Sequence, residues 1–190
     1  MIKIGILGDI GSGKSFAAKA FGYPVFNADE EVSKLYQKNR RVYLQLKRKL
    51  PNHISTFTIK KKEISKAIIS KKTNLKKIIK IVHIEIRKKM KLFINQNKNK
   101  KIVILDIPLL LENKINQKKD ILIFVDSKKS QILKRLKKRK NFNNDLFKLF
   151  KKIQLPLDYK KNKSDFIIKN DFTKKTLKKS VKLILNKILK

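Results

Sequence analysis

The sequence predicts a three-layer α/β fold, helices packed on both faces of a parallel sheet, from three observations. The runs Ile102 to Leu105 and Ile121 to Val125 are continuous aliphatic and aromatic stretches without alternation, the pattern of strands covered on both faces. A third apolar run, Ile2 to Leu7, leads through a glycine cluster into Phe16-Ala17-Ala18-Lys19-Ala20, a good helix former. Strand and helix patterns alternate along the chain, which favours a layered α/β arrangement.

The elements follow in order. Pro24 to Asn27 reads as a second short strand, and Asp29 to Tyr36 as a helix with an acid near its start. From Arg40 to about Asn97 the spacing is mostly helical. Leu44, Leu50, Ile64, Ile68, Leu75, Ile79, Val82 and Ile86 are its candidates for a buried face. After the two buried strands come a basic helix from Ser127 to Arg139 and a short last strand from Phe166 to Ile168. Thr173 to Leu189 closes the chain as an amphipathic helix burying Leu177, Val181, Ile184 and Ile188. No internal repeat interrupts this order.

Composition bounds the function. The 190 residues fit one domain, and 41% hydrophobic residues suffice for a core. Lys and Arg number 51 against 14 Asp and Glu, a net charge of +37. That is far more than a small anionic substrate requires, and it is spread in runs such as Lys60-Lys61-Lys62. Two readings stay open, solvated helix faces or a surface for a polyanion such as nucleic acid. The chain has no cysteine and two histidines, His53 and His83, which excludes disulfides and thiolate metal sites. No apolar stretch approaches the roughly 18 residues needed to span a bilayer, and the N-terminus reads as a strand rather than a signal peptide. The cytoplasm is the expected compartment, with no membrane partner and no prediction of oligomeric state.

Gly8-Asp9-Ile10-Gly11-Ser12-Gly13-Lys14-Ser15 fits the phosphate-loop pattern G-x-x-x-x-G-K-[ST] in full, and it follows a strand and opens a helix as that chemistry requires. Its glycines let backbone N–H groups turn toward one anion, Lys14 is placed for β and γ oxygens, and Ser15 for Mg²⁺. Four of the chain's five glycines, Gly5, Gly8, Gly11 and Gly13, fall in this short segment. Asp29 lies just past the second strand, at the carboxyl edge that a parallel sheet shares with the phosphate loop. It is either a base for an attacking hydroxyl, a holder of magnesium water, or a plain helix cap. Asp106 ends a buried strand, as a magnesium-directed acid or as a turn residue. Gln131, Arg135 and Arg139 recur every four residues, so one helix would present them on one face, toward phosphate or toward solvent. His83 lies in the apolar segment Ile81-Val82-His83-Ile84, as a core histidine or a functional one.

The ordered set of motifs resembles the dephospho-coenzyme A kinase family. Ile4 through Ser15 is one such segment, and Val25-Phe26-Asn27-Ala28-Asp29 is similar to the family's V-I-D-A-D. Leu105-Asp106-Ile107-Pro108-Leu109-Leu110-Leu111-Glu112 is similar to its L-D-I-P-L-L-F-E, and Gln131, Arg135 and Arg139 match its Q-x-x-x-R-x-x-x-R spacing. Gln154-Leu155-Pro156-Leu157 with Lys160, and Asp165 with Ile167 to Asn170, are similar to its last two segments. The resemblance implies a P-loop kinase fold with a five-stranded parallel sheet in one domain over 1–190. Its core would be 1–39 and 100–190, with a helical acceptor-binding insertion at about 40–99 and a lid at about 139–155. It implies transfer of phosphate from ATP, with Mg²⁺, to the ribose 3′-hydroxyl of dephospho-CoA. Lys14, Asp29 as base and Arg139 as lid cation would be catalytic. Gly8, Gly11, Ser12, Gly13, Lys14, Ser15, Phe16 and Asn170 would bind ATP, Asn170 near the adenine. His83, Pro108, Leu109 and Leu110 would bind the acceptor, and Ser15 and Asp106 the metal. No specific nucleic acid is expected, only non-specific binding at low salt.

Several positions depart from the family pattern. Leu7 stands where Thr is usual, and Asp9 where Gly is usual, an acid beside bound phosphates that is unfavourable unless its side chain points away. Asn27 replaces the first Asp of D-A-D, Ile84 a Pro, and Phe150 a frequent Arg. The competing readings are another small P-loop kinase acting on a nucleotide or sugar, and a nucleic-acid-binding ATPase. A GTPase is disfavoured, because Ile107-Pro108-Leu109 after Asp106 leaves no glycine for a D-x-x-G switch.

Overall fold

The structure is a computed structural model, and it describes residues 1–139 and 142–190. It contains two compact units. The first comprises Met1–Asn27, Gln96–Asn143 and Phe147–Lys190; the second comprises Ala28–Asn95 with Asn144–Leu146.

The first unit is built on five strands, β1 (Ile2–Gly8), β2 (Val25–Asn27), β3 (Ile102–Asp106), β4 (Ile121–Asp126) and β5 (Phe166–Lys169). They form one sheet in the order β2-β3-β1-β4-β5, and every pairing is parallel. The unbroken apolar runs explain the centre of this order. All five residues of β3 are buried, as are the last five of β1 and the middle four of β4. Ile4 and Ile6 of β1 point to one face, where they meet Ile104, Ile123 and Ile168 from neighbouring strands. That face is covered by Ala17, Ala18 and Phe21 at helix α1 (Lys14–Ala20), and by Leu177, Val181 and Ile184 of helix α9 (Lys174–Ile188). Burial of each Ile, Leu, Val or Phe side chain here contributes roughly 1.5–3 kcal/mol. Gly5 points to the opposite face, where a Cβ would come within 2.5 Å of the Leu110 side chain and 3.0 Å of Leu122. Helix α8 (Leu157–Asn162) packs along β1 and is tied by Lys160 to Glu112, two residues beyond Leu110. The sheet therefore carries a layer on each face.

Helix α6 (Lys129–Lys137) is shorter than its basic spacing predicts. Lys138 caps it, and Arg139 lies beyond it, so Gln131 and Arg135 share a helical face but Arg139 does not. The physical cause is lack of packing. Leu136 is the last buried side chain, and the residues up to Phe142 offer no apolar group to hold a further turn. Helix α7 (Asn144–Ile153) follows. Of the expected lid segment, residues 140 and 141 lie outside the described residues.

The second unit is helical, with α2 (Ala28–Lys38), α3 (Arg40–Lys49), α4 (Lys61–Ser70) and α5 (Lys72–Gln96). The Asn39 side chain accepts the Val42 N–H at 2.9 Å and starts α3, and Glu63 accepts the Lys60 N–H at 2.8 Å at the start of α4. α5 buries Leu75, Ile78, Val82 and Ile86 on one stripe. Leu44 is a correction, since it is exposed, and Val42 and Leu46 form the buried face of α3 instead. The two inward positions are four apart, one helical turn, whereas Leu44 falls between them and points away. Ile79 is likewise only half-buried, its neighbour Ile78 taking the inward position.

Candidate active site

The phosphate loop joins β1 to α1 at the carboxyl edge of the sheet. Two of its glycines are required by geometry. Gly13 caps α1 in the left-handed region, φ 91°, and a Cβ there would approach the Asn170 side-chain nitrogen to 2.5 Å. Gly8, at φ 144°, would place a Cβ 2.7 Å from the Val125 carbonyl oxygen. The loop is held from just past two other strands, because the Ser12 carbonyl accepts hydrogen bonds from Asn170 Nδ2 at 2.8 Å and from Ser127 Oγ at 3.0 Å. Ser12 is buried, Phe16 is exposed on α1, and no acid occupies the first turn of that helix. The Lys14 ammonium folds back on its own loop, donating to the carbonyls of Asp9 at 2.7 Å and Gly8 at 3.3 Å.

Ser15 and Asp106 converge through Asn27. The Asn27 amide nitrogen donates to Asp106 Oδ2 at 2.7 Å and reaches Ser15 Oγ at 3.5 Å. Parallel register makes this juxtaposition, since Asn27 pairs with Asp106 at the ends of β2 and β3. Asp106 is buried, so its carboxylate needs such a partner. Asn27, singled out in the sequence only as a departure, is thus part of the candidate site by its contacts. Among the described residues no group of three or more His, Cys, Asp or Glu could hold a metal ion.

The Asp9 carboxylate is held both by its own loop and by α7. Oδ1 accepts the Ile10 N–H at 2.6 Å, and both carboxylate oxygens accept from Lys151 Nζ of α7 at 2.6 Å. A cavity of about 400 Å³ lies beside this pair, lined among others by Val125, Ser127, Gln154 and Pro156. Asn170 is buried, and its Oδ1 accepts the Phe172 N–H at 3.0 Å. Phe172 itself adopts φ 68°, an uncommon backbone for an aromatic residue. The Arg135 guanidinium stacks 4.2 Å from its ring centre. Nothing in the sequence signals the role of Phe172, Ser127 or Lys151, because each is defined by a partner distant along the chain.

Pro108 and Leu109 are half-buried in the turns after β3, whereas Leu110 is buried against Gly5. Glu112 forms an ion pair with Lys160 at 2.5 Å, both nearly inaccessible, and accepts the Leu155 N–H at 3.1 Å. One carboxylate thus joins the end of the β3 loop to the entry of α8. Arg139 is exposed. In the second unit, Asp29 is the exposed second residue of α2, in its first turn with Glu30 and Glu31. His83 is half-buried on α5, and its ionisation is pushed below the ordinary value of 6.5 by burial and by the neighbouring charge of Arg87.

Residues 2–176 match the model of the family described as dephospho-CoA kinase. The dephospho-CoA kinase of Wolbachia sp. subsp. Brugia malayi is 34% identical over 190 aligned residues, covering 97% of each chain. Among solved structures, a Thermus thermophilus protein superposes with a TM-score of 0.76 at 24% identity, covering 98% of this chain and 97% of its own. The Campylobacter jejuni dephospho-CoA kinase does so at 0.65 and 21%, covering 98% and 96%. These two likenesses establish the P-loop kinase fold, and the match over nearly the full length establishes more: the chain belongs to the dephospho-CoA kinase family.

Proposed function

We propose that this protein phosphorylates the ribose 3′-hydroxyl of dephospho-CoA with ATP, yielding coenzyme A and ADP. The observation that carries the reading is the convergence of the phosphate loop, Ser15 and Asp106 in a chain of this family. Gly8, Gly11, Ser12, Gly13, Lys14, Ser15 and Phe16 bind the nucleotide. Lys14 carries the cation to the β and γ oxygens, which are charged acceptors and stronger ones than the loop carbonyls of Gly8 and Asp9. Asn170 braces the loop from the adenine side.

The donors Ser15 Oγ and Asp106 fit Mg²⁺, which takes hard oxygen ligands, commonly one or two carboxylates together with substrate phosphates. When bound, the ion would neutralise charge on the transferring phosphate. Asp29 accepts the proton of the 3′-hydroxyl as its oxygen attacks the γ-phosphorus and ADP departs. Arg139 supplies a cation to the charge that develops in transfer. His83, Pro108 and Leu109 contact the acceptor, and Leu110, being buried, supports that wall from behind. A neutral His83 suits such a contact, since burial and Arg87 favour its uncharged form.

On this reading the enzyme works in the cytoplasm, and its lysine excess is a solvated surface. Among the described residues no helix is long and apolar enough to cross a membrane. A coupled assay with ATP and dephospho-CoA, run beside AMP, gluconate and shikimate, tests the substrate. Product is expected from dephospho-CoA at about 0.15 M salt, where exposed charges are screened beyond roughly 8 Å, without stimulation by RNA or DNA. ATP turnover that rises with polynucleotide and ignores dephospho-CoA would overturn the proposal.

A further inference from the structure

Asp9 places a carboxylate inside a loop whose work is to hold phosphate. Left alone, that carboxylate has two ways to interfere. It repels phosphate oxygens across a short distance, and it offers Lys14 a charged acceptor in competition with the nucleotide. The structure shows how both are avoided. Lys151, 142 residues further on, spans both carboxylate oxygens, while Lys14 rests on the backbone carbonyl of Asp9 rather than on its side chain. The same residue thus receives two ammonium groups on two different acceptors, and the stronger acceptor is already occupied. The pair is partly shielded, Asp9 being largely buried and Lys151 38% exposed.

We propose that Lys151 is a positioning residue for ATP: by clamping Asp9 it neutralises the acid in the phosphate loop and keeps that carboxylate from competing with the nucleotide for Lys14. The proposal rests on ATP being the ligand of this loop, as argued above. It assigns Lys151 no contact with phosphate, only with Asp9, and this makes it separable from a direct phosphate-binding role. A lysine that binds phosphate matters whatever occupies position 9. A lysine that silences an acid matters only while the acid is there.

The test is calorimetric titration of ATP, without acceptor, into the full chain and its Lys151→Met, Asp9→Asn and Asp9→Asn/Lys151→Met variants. Methionine keeps most of the lysine stem and removes the charge, and thermal unfolding of each variant checks that it is folded. Lys151→Met should weaken ATP binding about tenfold, equivalent to 1.4 kcal/mol. Asp9→Asn should bind within about threefold of the parent, and the double variant should bind like Asp9→Asn. A double variant as weak as Lys151→Met would overturn the proposal by making Lys151 a phosphate ligand. So would a Lys151→Met variant that binds like the parent. Should Lys151→Met fail to fold, the double variant and Lys151→Arg decide the matter: the double variant must bind like Asp9→Asn and Lys151→Arg like the parent, and failure of either refutes the clamp. If the parent itself binds no ATP, the functional reading fails first, and that result is distinct from all of these.

Discussion

Replacing Lys160 by methionine should be among the most destabilising single changes available in this chain. Its side chain is 1% exposed and that of Glu112 is 8% exposed, with the charged atoms 2.5 Å apart. Removing one partner of a buried pair leaves an uncompensated charge, at a cost of about 3–5 kcal/mol. Against a total stability of roughly 5–15 kcal/mol this is a large share. With a urea dependence of about 2 kcal/mol per molar, the unfolding midpoint should fall by about 2 M. The informative comparison is the double variant Lys160→Met/Glu112→Gln. It removes both charges and keeps an acceptor for the Leu155 N–H, so it should recover to within about 1–2 kcal/mol of the parent. Urea unfolding followed by circular dichroism measures all three proteins. A Lys160→Met variant that loses less than about 1 kcal/mol, or a double variant no better than the single one, would show that the pair is not held as a buried ion pair.

Three further expectations are simpler. Asp29→Asn should lower kcat for dephospho-CoA by roughly 10² or more while ATP affinity changes little, because the amide keeps the shape and loses the proton acceptor; near-normal kcat would reduce Asp29 to a helix-start residue. Arg139→Ala should lower kcat more than Arg135→Ala does, since Arg135 is engaged with the Phe172 ring and Arg139 is not on its helical face; steady-state kinetics of both variants tests this. His83 is harder to protonate in the folded chain than in the unfolded one, so between its lowered value and 6.5 the unfolded state binds more protons and stability rises with pH. Its contribution is therefore full above about pH 6.5 and lost as pH falls below it, and His83→Asn should flatten the acid side of an unfolding-midpoint profile measured from pH 8 to 5.

The parts of the molecule legible in the sequence are those set by local pattern. β3 and β4 declare themselves by unbroken apolar runs, and the phosphate loop by glycines that few other arrangements require. Stripes such as Leu177, Val181 and Ile184 give the inward side of α9 directly. What the pattern misreads are ends and directions. The basic spacing runs on through Arg139 although packing stops at Leu136, and Leu44 has the right chemistry at the wrong angle. The stretch before α4 breaks the expected helical run from Pro51 on, and Ile54 and Ile59 are buried there from non-helical backbone. Contacts between distant residues are hidden altogether. Asp9 with Lys151, Glu112 with Lys160, and Asn27 with Asp106 each join positions that only the folded sheet brings together, and no local pattern announces the pairing.

The two hydrogen bonds to the Ser12 carbonyl have a consequence for the order in which the chain matures. Ser127 and Asn170 both lie in the second half of the sequence, Asn170 immediately past the edge strand β5. A chain emerging from the ribosome therefore makes its phosphate loop first and completes its support almost last. Nucleotide that enters the finished loop should in turn tighten the edge strand whose following residue holds it, by mass action on a late-forming part of the fold. Protection of the β5 amides against hydrogen exchange thus becomes a gauge of nucleotide occupancy at the opposite end of the sequence.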